Sequence, residues 1–182
     1  MFHSNTEQLI EYWRSHKSAN AAPARASIDP GEFPALAPQV FILGRASAGR
    51  YVFRLAGGLV EDLHGVRLGG VDALSLWAET YRTSLQLALE AVRRAPEPLV
   101  VTAEARAPRG EMLGLEITFA PLMSAGGEID RVFGLYQPKT PVAALQGQPI
   151  QALTVRGVAT ARPGDADLPR LRLAAVDGRQ IA

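Results

Sequence analysis

The sequence contains no cysteine. That absence excludes disulfides, thiolate nucleophiles, Cys-ligated zinc and iron–sulfur clusters together, and it suits a reducing compartment. Only three histidines are present, His3, His16 and His64, and they are too dispersed to form a zinc site. No apolar run exceeds about five residues, as in Val40–Leu43, against the ~20 needed to span a bilayer. The opening residues, 1–7, carry no basic segment followed by an apolar one, so no secretory signal is visible and a soluble, cytoplasmic protein is expected. Charge of one sign is lacking too. Nineteen Lys and Arg against eighteen Asp and Glu leave a net charge of +1, which predicts no broad attraction to nucleic acid or to an anionic membrane.

Apolar residues make up 47% of the 182 residues and charged residues 20%, the balance of a globular chain long enough for one sizeable core. Ser4-Asn5-Thr6-Glu7 fits a capping box, and Leu9 and Trp13 then mark one face of a short helix. Residues 1–22 are expected to be this helix and a linker. Asp29-Pro30-Gly31-Glu32 predicts a second helix start, with Pro38 stopping the helix after about two turns. Val40-Phe41-Ile42-Leu43 is apolar without alternation and reads as a strand buried on both faces. A turn of small residues, 45–49, leads to a second strand in which Tyr51, Phe53 and Leu55 share a face.

The strongest periodicity follows. Leu74, Trp77, Tyr81, Leu85, Leu89 and Val92 recur at three- and four-residue spacing, predicting a helix over Asp72–Arg94 with Asp72 as its N-cap. Such a helix would be about 34 Å long. Three strands come next: Leu99–Ala105, Leu113–Phe119 and Val132–Tyr136, with apolar residues on alternate positions of the first two. The expected fold is α+β. Residues 139–182 are richer in Ala, Gln, Pro and Gly; they read as a partly flexible appendage, with weak β-like runs at Ala152–Ala159 and Leu171–Val176.

No catalytic constellation emerges. Gly44-Arg45-Ala46-Ser47-Ala48-Gly49-Arg50-Tyr51 has a phosphate-loop outline, but Arg50 and Tyr51 stand where Lys and Ser/Thr are needed, so a hairpin turn is expected. No serine lies in a nucleophile elbow. Glu61 and Asp62 are adjacent on a helix, so their side chains diverge and make no acid–base pair. Arg54, in mid-strand, is expected to form a structural ion pair with an acid such as Asp29.

Local wording is more specific. Arg25-Ala26-Ser27-Ile28-Asp29-Pro30, Leu36-Ala37-Pro38, Tyr51-Val52-Phe53-Arg54-Leu55-Ala56-Gly57, Gly65-Val66-Arg67-Leu68-Gly69-Gly70 and Pro121-Leu122 with Arg131-Val132-Phe133-Gly134-Leu135 lie along residues 9–138. Together they resemble an alphaproteobacterial single-domain PAS-like family of motility and cell-cycle regulators. Gly58, where the family pattern has Thr, and the Leu-Ala-Pro step depart from it. The resemblance implies a PAS-like five-stranded antiparallel sheet over residues 23–138, covered by the long helix and short helices.

It also implies a non-enzymatic regulator that clusters at a cell pole and acts through contacts with signalling proteins. Covalent chromophores need a cysteine, and a haem needs a histidine on or near Asp72–Arg94, so no cofactor is expected. A small apolar ligand would lie between sheet and helix, against Phe53, His64, Trp77, Tyr81, Leu85, Leu115, Ile117 and Phe119. Arg25, Asp29 and Arg54 are expected to be structural. A homodimer is expected because Leu9 and Trp13 need a surface to cover, this sheet or a second subunit's. The remaining alternative is a cone-shaped hydrolase or isomerase, which would need a buried acid or a His–Asp pair in the cavity.

Overall fold

The alternating and non-alternating apolar runs become strands of a single sheet. In the computed structural model, which describes residues 1–18 and 21–161, the strands are β1 (Val40–Ser47), β2 (Arg50–Ala56), β3 (Leu99–Arg106), β4 (Met112–Met123), β5 (Ile129–Pro138) and β6 (Ala152–Thr160). All neighbours are antiparallel, in the order β2-β1-β5-β4-β3-β6. The helices are α1 (Ser4–Ser15), α2 (Gly58–His64) and α3 (Glu79–Arg94).

Successive side chains of a strand point to opposite faces. In β1 that puts Phe41 and Leu43 in a front core beneath α2 and α3, while Val40 and Ile42 enter a rear core with Leu9 and Trp13 of α1. Burial on both faces is why this run does not alternate. The rear core is completed by Ala22, Ile28, Phe33 and Leu36 from the segment between α1 and β1. Trp13 is fully buried, and its Nε1–H donates to the Pro121 carbonyl at 2.7 Å. Leu9 and Trp13 therefore cover the chain's own sheet, which removes the observation that pointed to a homodimer through this helix.

Several elements differ from the sequence reading. The α1 N-cap is His3, whose Nδ1 accepts the Asn5 N–H, and Glu7 reaches back to the Phe2 N–H, so the reciprocal pairing begins one residue early. Asp29 does accept the Gly31 N–H, but only a single 3-10 turn (Pro30–Glu32) follows. The long helix is split. Asp72 caps a 3-10 turn at Ala73–Leu76, Trp77 is extended, and α3 begins at Glu79, giving 16 residues and about 24 Å. Trp77 instead bridges to Leu153, and the Ala78 N–H donates to the Leu153 carbonyl at 2.9 Å.

That contact belongs to the largest correction. The sheet has six strands, because β6 pairs with the whole of β3, from Leu99↔Thr160 to Arg106↔Ala152. Leu153 and Val155 enter the front core, so part of the expected appendage is core. The Leu171–Val176 run lies outside the described residues.

Across β1, β5 and β4, Phe41, Gly134 and Phe119 sit side by side in register. A Cβ on Gly134 would collide with the Phe41 ring. Gly134→Ala should therefore destabilise the fold by about 1–3 kcal/mol through overpacking, read as a lower urea midpoint at unchanged slope. A loss below about 0.5 kcal/mol would mean that Phe41 has room to move.

Candidate functional site

The front core is the place where the fold gathers the expected ligand-contacting residues. Phe53 comes from β2, His64 from the end of α2, Trp77 from the link before α3, Leu85 from α3, and Leu115, Ile117 and Phe119 from β4; all are buried. Tyr81 is half-buried at the margin of the same cluster. Apart from His64, which meets the cluster through Tyr136, these residues belong to one packed apolar cluster that also holds Phe41, which sequence reasoning left out. Its ring centroid lies 5.7 Å from Phe53, 5.7 Å from Phe119 and 5.6 Å from Tyr136, all edge-on. Edge-to-face packing of this kind adds to the area buried.

Tyr136 is the second residue the sequence reading missed. It stands opposite Ile117 in the β4–β5 register, so the alternation of Val132 and Tyr136 along β5, matched to Ile117, would have placed it. Its hydroxyl is 3.3 Å from His64 Nε2, with the rings 5.9 Å apart. Burial drives the His64 pKa down to about 4, and burial also raises that of Tyr136. At neutral pH both are uncharged, so the ring nitrogen can accept a hydrogen bond from the hydroxyl. The pair makes a single polar anchor inside the apolar front core.

At the margin of the front core lies a charged cluster. Glu90 of α3 accepts from Tyr51 (2.8 Å), Arg45 (3.0 Å) and Arg93 (2.6 Å), while Arg93 Nε also donates to the Ile129 carbonyl at 2.7 Å. Burial pushes the Glu90 pKa up, but those three hydrogen bonds outweigh it and hold it at about 2. Burial, then the bond to Glu90, keeps the Tyr51 phenol well above its usual range. The cluster ties β1, β2 and α3 together. Glu90→Ala strands the buried Tyr51 hydroxyl and two guanidinium groups, and it should cost about 2 kcal/mol in urea unfolding, with Glu90→Gln recovering part. A loss within about 0.3 kcal/mol of zero would show the cluster to be solvated.

The structural residues behave differently from expectation. Arg54 is exposed, with its side chain over Gly44, and forms no ion pair with Asp29 among the described residues. The reason is a register shift: Ile42 pairs with Leu55 and Leu43 with Phe53, leaving Arg54 as the extra residue of a β-bulge. Asp29 spends its carboxylate on the Gly31 N–H, and Arg25 donates to the Ile28 carbonyl at 3.0 Å. The Gly44–Tyr51 stretch is a hairpin with Gly49 at its tip, as expected.

A deeply buried acid is present, but on the other face. Glu116 accepts the His3 N–H at 2.8 Å and has Lys139 at 3.6 Å, so it anchors the chain ahead of α1 rather than lining the front core. Among the described residues no three His, Asp or Glu converge as a metal site, and no helix is long and apolar enough to cross a membrane.

Residues 1–137 match the family described as PAS domain. No curated protein matches the chain. Among solved structures, the Drosophila melanogaster Cycle PAS-B domain with bound glycerol shares 14% identity and a TM-score of 0.42, covering 54% of this chain and 98% of that one. A Rhodobacter sphaeroides LOV protein shares 10% identity and a TM-score of 0.46, covering 63% and 70%. A Vibrio cholera VqmA–ligand–DNA complex shares 15% identity and a TM-score of 0.46, covering 62% of this chain and 52% of that one.

Proposed function

Because the chain belongs to the PAS domain family, we propose that it is a sensory regulator rather than an enzyme, with partner proteins as its output and a small apolar ligand as its input. The observation that carries the reading is the His64–Tyr136 pair, one uncharged hydrogen-bonding anchor in the apolar front core, with the Phe41 ring edge-on to Tyr136. An apolar interior with a few placed polar groups suits recognition of a small molecule. A ligand enters by displacing rings around Phe41 and takes the hydrogen bond that His64 and Tyr136 now share. The resulting shift reaches the surface through α3, which Glu90 links to β1 and β2. By resemblance the setting is cytoplasmic motility or cell-cycle control in an alphaproteobacterium, with signalling proteins as partners.

Native mass spectrometry of freshly purified protein, combined with thermal stabilisation across a metabolite panel, tests the input. A retained mass or a stabilising compound is expected, and Tyr136→Phe should weaken its binding about tenfold. No mass and no stabilisation would remove the ligand half of the proposal. Affinity capture from the native organism tests the output, and recovery of no partner would remove the other half.

A further inference from the structure

A cavity lies at the edge of the front core, beside α2. It has a volume of about 210 Å³ and is roofed by the stretch that follows β5. Leu59 and Leu63 of α2 and Val142 and Leu145 of the roof form its apolar walls, and Asp62 and Gln148 stand at its rim. Leu59, Asp62 and Leu63 fall on one helical face by their spacing.

The roof is held in place from both ends. After a 3-10 turn at Val142–Leu145, Gln146 and Gly147 both adopt positive φ, 50° and 75°, and Gln146 is the only non-glycine residue to do so among the described residues. Such a conformation in a residue with a side chain persists only where its surroundings impose it. The chain then returns to α2, where the Ile150 N–H donates to the Leu63 carbonyl at 2.8 Å, and Ile150 and Leu145 are buried in the front core. Roof and helix thus meet along Leu145 and Ile150 yet leave an apolar hollow between them.

Two features point to the occupant. The carboxylate of Asp62 and the side-chain amide of Gln148 have no hydrogen-bond or ion-pair partner among the described residues, whereas neighbouring Glu61 is taken by Arg67 and the Leu68 N–H. An apolar cavity smaller than this one already accepts a benzene ring. We propose that this cavity binds a small molecule with a one- or two-ring apolar body and a cationic amino group, the ring against Leu59 and Val142 and the ammonium on Asp62. The site borders the front core, with which it shares Leu63 and Leu145, and includes neither His64 nor Tyr136. Since its roof begins beyond residue 137, it also lies partly outside the PAS-matched span.

Tryptamine is a suitable probe, with indole-3-propionate as the matched anion. Titration followed by amide chemical shifts should give a dissociation constant on the order of 1 mM, as a ligand of about a dozen heavy atoms warrants. Shifts should centre on Leu59, Leu63, Val142 and Gln148 and leave Phe53 and Phe119 in place. Asp62→Asn, at an exposed position, should weaken tryptamine about five- to tenfold. Val142→Trp, which fills the hollow, should abolish binding while the remaining amide shifts report an intact fold. Equal binding of both probes, an Asp62→Asn variant that binds as well as the parent, shifts centred elsewhere or no saturable shift would each overturn the proposal. Shifts at His64 and Tyr136 alone would instead assign the ligand to the front core.

Discussion

Replacing Trp13 with alanine should lower the unfolding free energy by about 3–5 kcal/mol, the usual cost of removing a buried indole. Three losses combine. The side chain is fully buried in the rear core, its N–H is the partner of the Pro121 carbonyl, and Lys17 lies over its ring at 5.2 Å. The first dominates, since a net hydrogen bond is worth about 1 kcal/mol. The midpoint in urea should fall without dependence on protein concentration, because the surface Trp13 covers is its own sheet. Hydrogen exchange should speed up first on the rear contacts of β4 and β5, where α1 docks. A loss under about 1 kcal/mol would show that α1 undocks freely in the parent protein. A concentration-dependent midpoint would show that Trp13 covers a second subunit instead.

How much of this was legible in the sequence depends on whether a contact is local. The two-sided burial of β1 could be read from four consecutive apolar residues, and β3 and β4 from alternation. Trp77 was misplaced because its spacing to Leu74 and Tyr81 satisfies a helical period, although the chain leaves the helix between them. Neither Gly nor Pro marks that break, and the decisive contacts, from Trp77 and Ala78 to Leu153, are more than seventy residues away in sequence. The same nonlocality hid β6. Its pattern was visible as a weak β-like run, but nothing local says that β3 needs a second neighbour. Arg54 was assigned a partner from the two-residue period of a strand, and a bulge breaks that period without any sequence signal. The apolar residues of the front core were legible because apolar faces are periodic. Of the polar anchor within it only His64 stood out in the sequence, because its pairing with Tyr136 depends on β5 lying beside β4.

That anchor sets a pH dependence whose sign follows from burial. Folded His64 has a pKa of about 4 against 6.5 for an unburied histidine, because its cation is poorly solvated at the buried end of α2. Between those values the unfolded chain binds more protons, so stability rises with pH. The contribution is fully present above pH 6.5 and is lost as the pH falls to about 4, a change of about 3 kcal/mol. Glu90 acts in a lower window. Its folded pKa of about 2 against 4.5 means that its contribution is present above pH 4.5 and disappears as the pH falls toward 2. The two windows overlap only slightly, so a single substitution separates them. His64→Phe keeps the ring packing on Tyr136 and removes the titration. Urea unfolding of that variant should be flatter than the parent between pH 6.5 and 4.5 and should share its decline below 4.5. An unchanged slope in the upper window would mean that the imidazole reaches solvent in the folded protein, and an interior that wet would not select an apolar ligand.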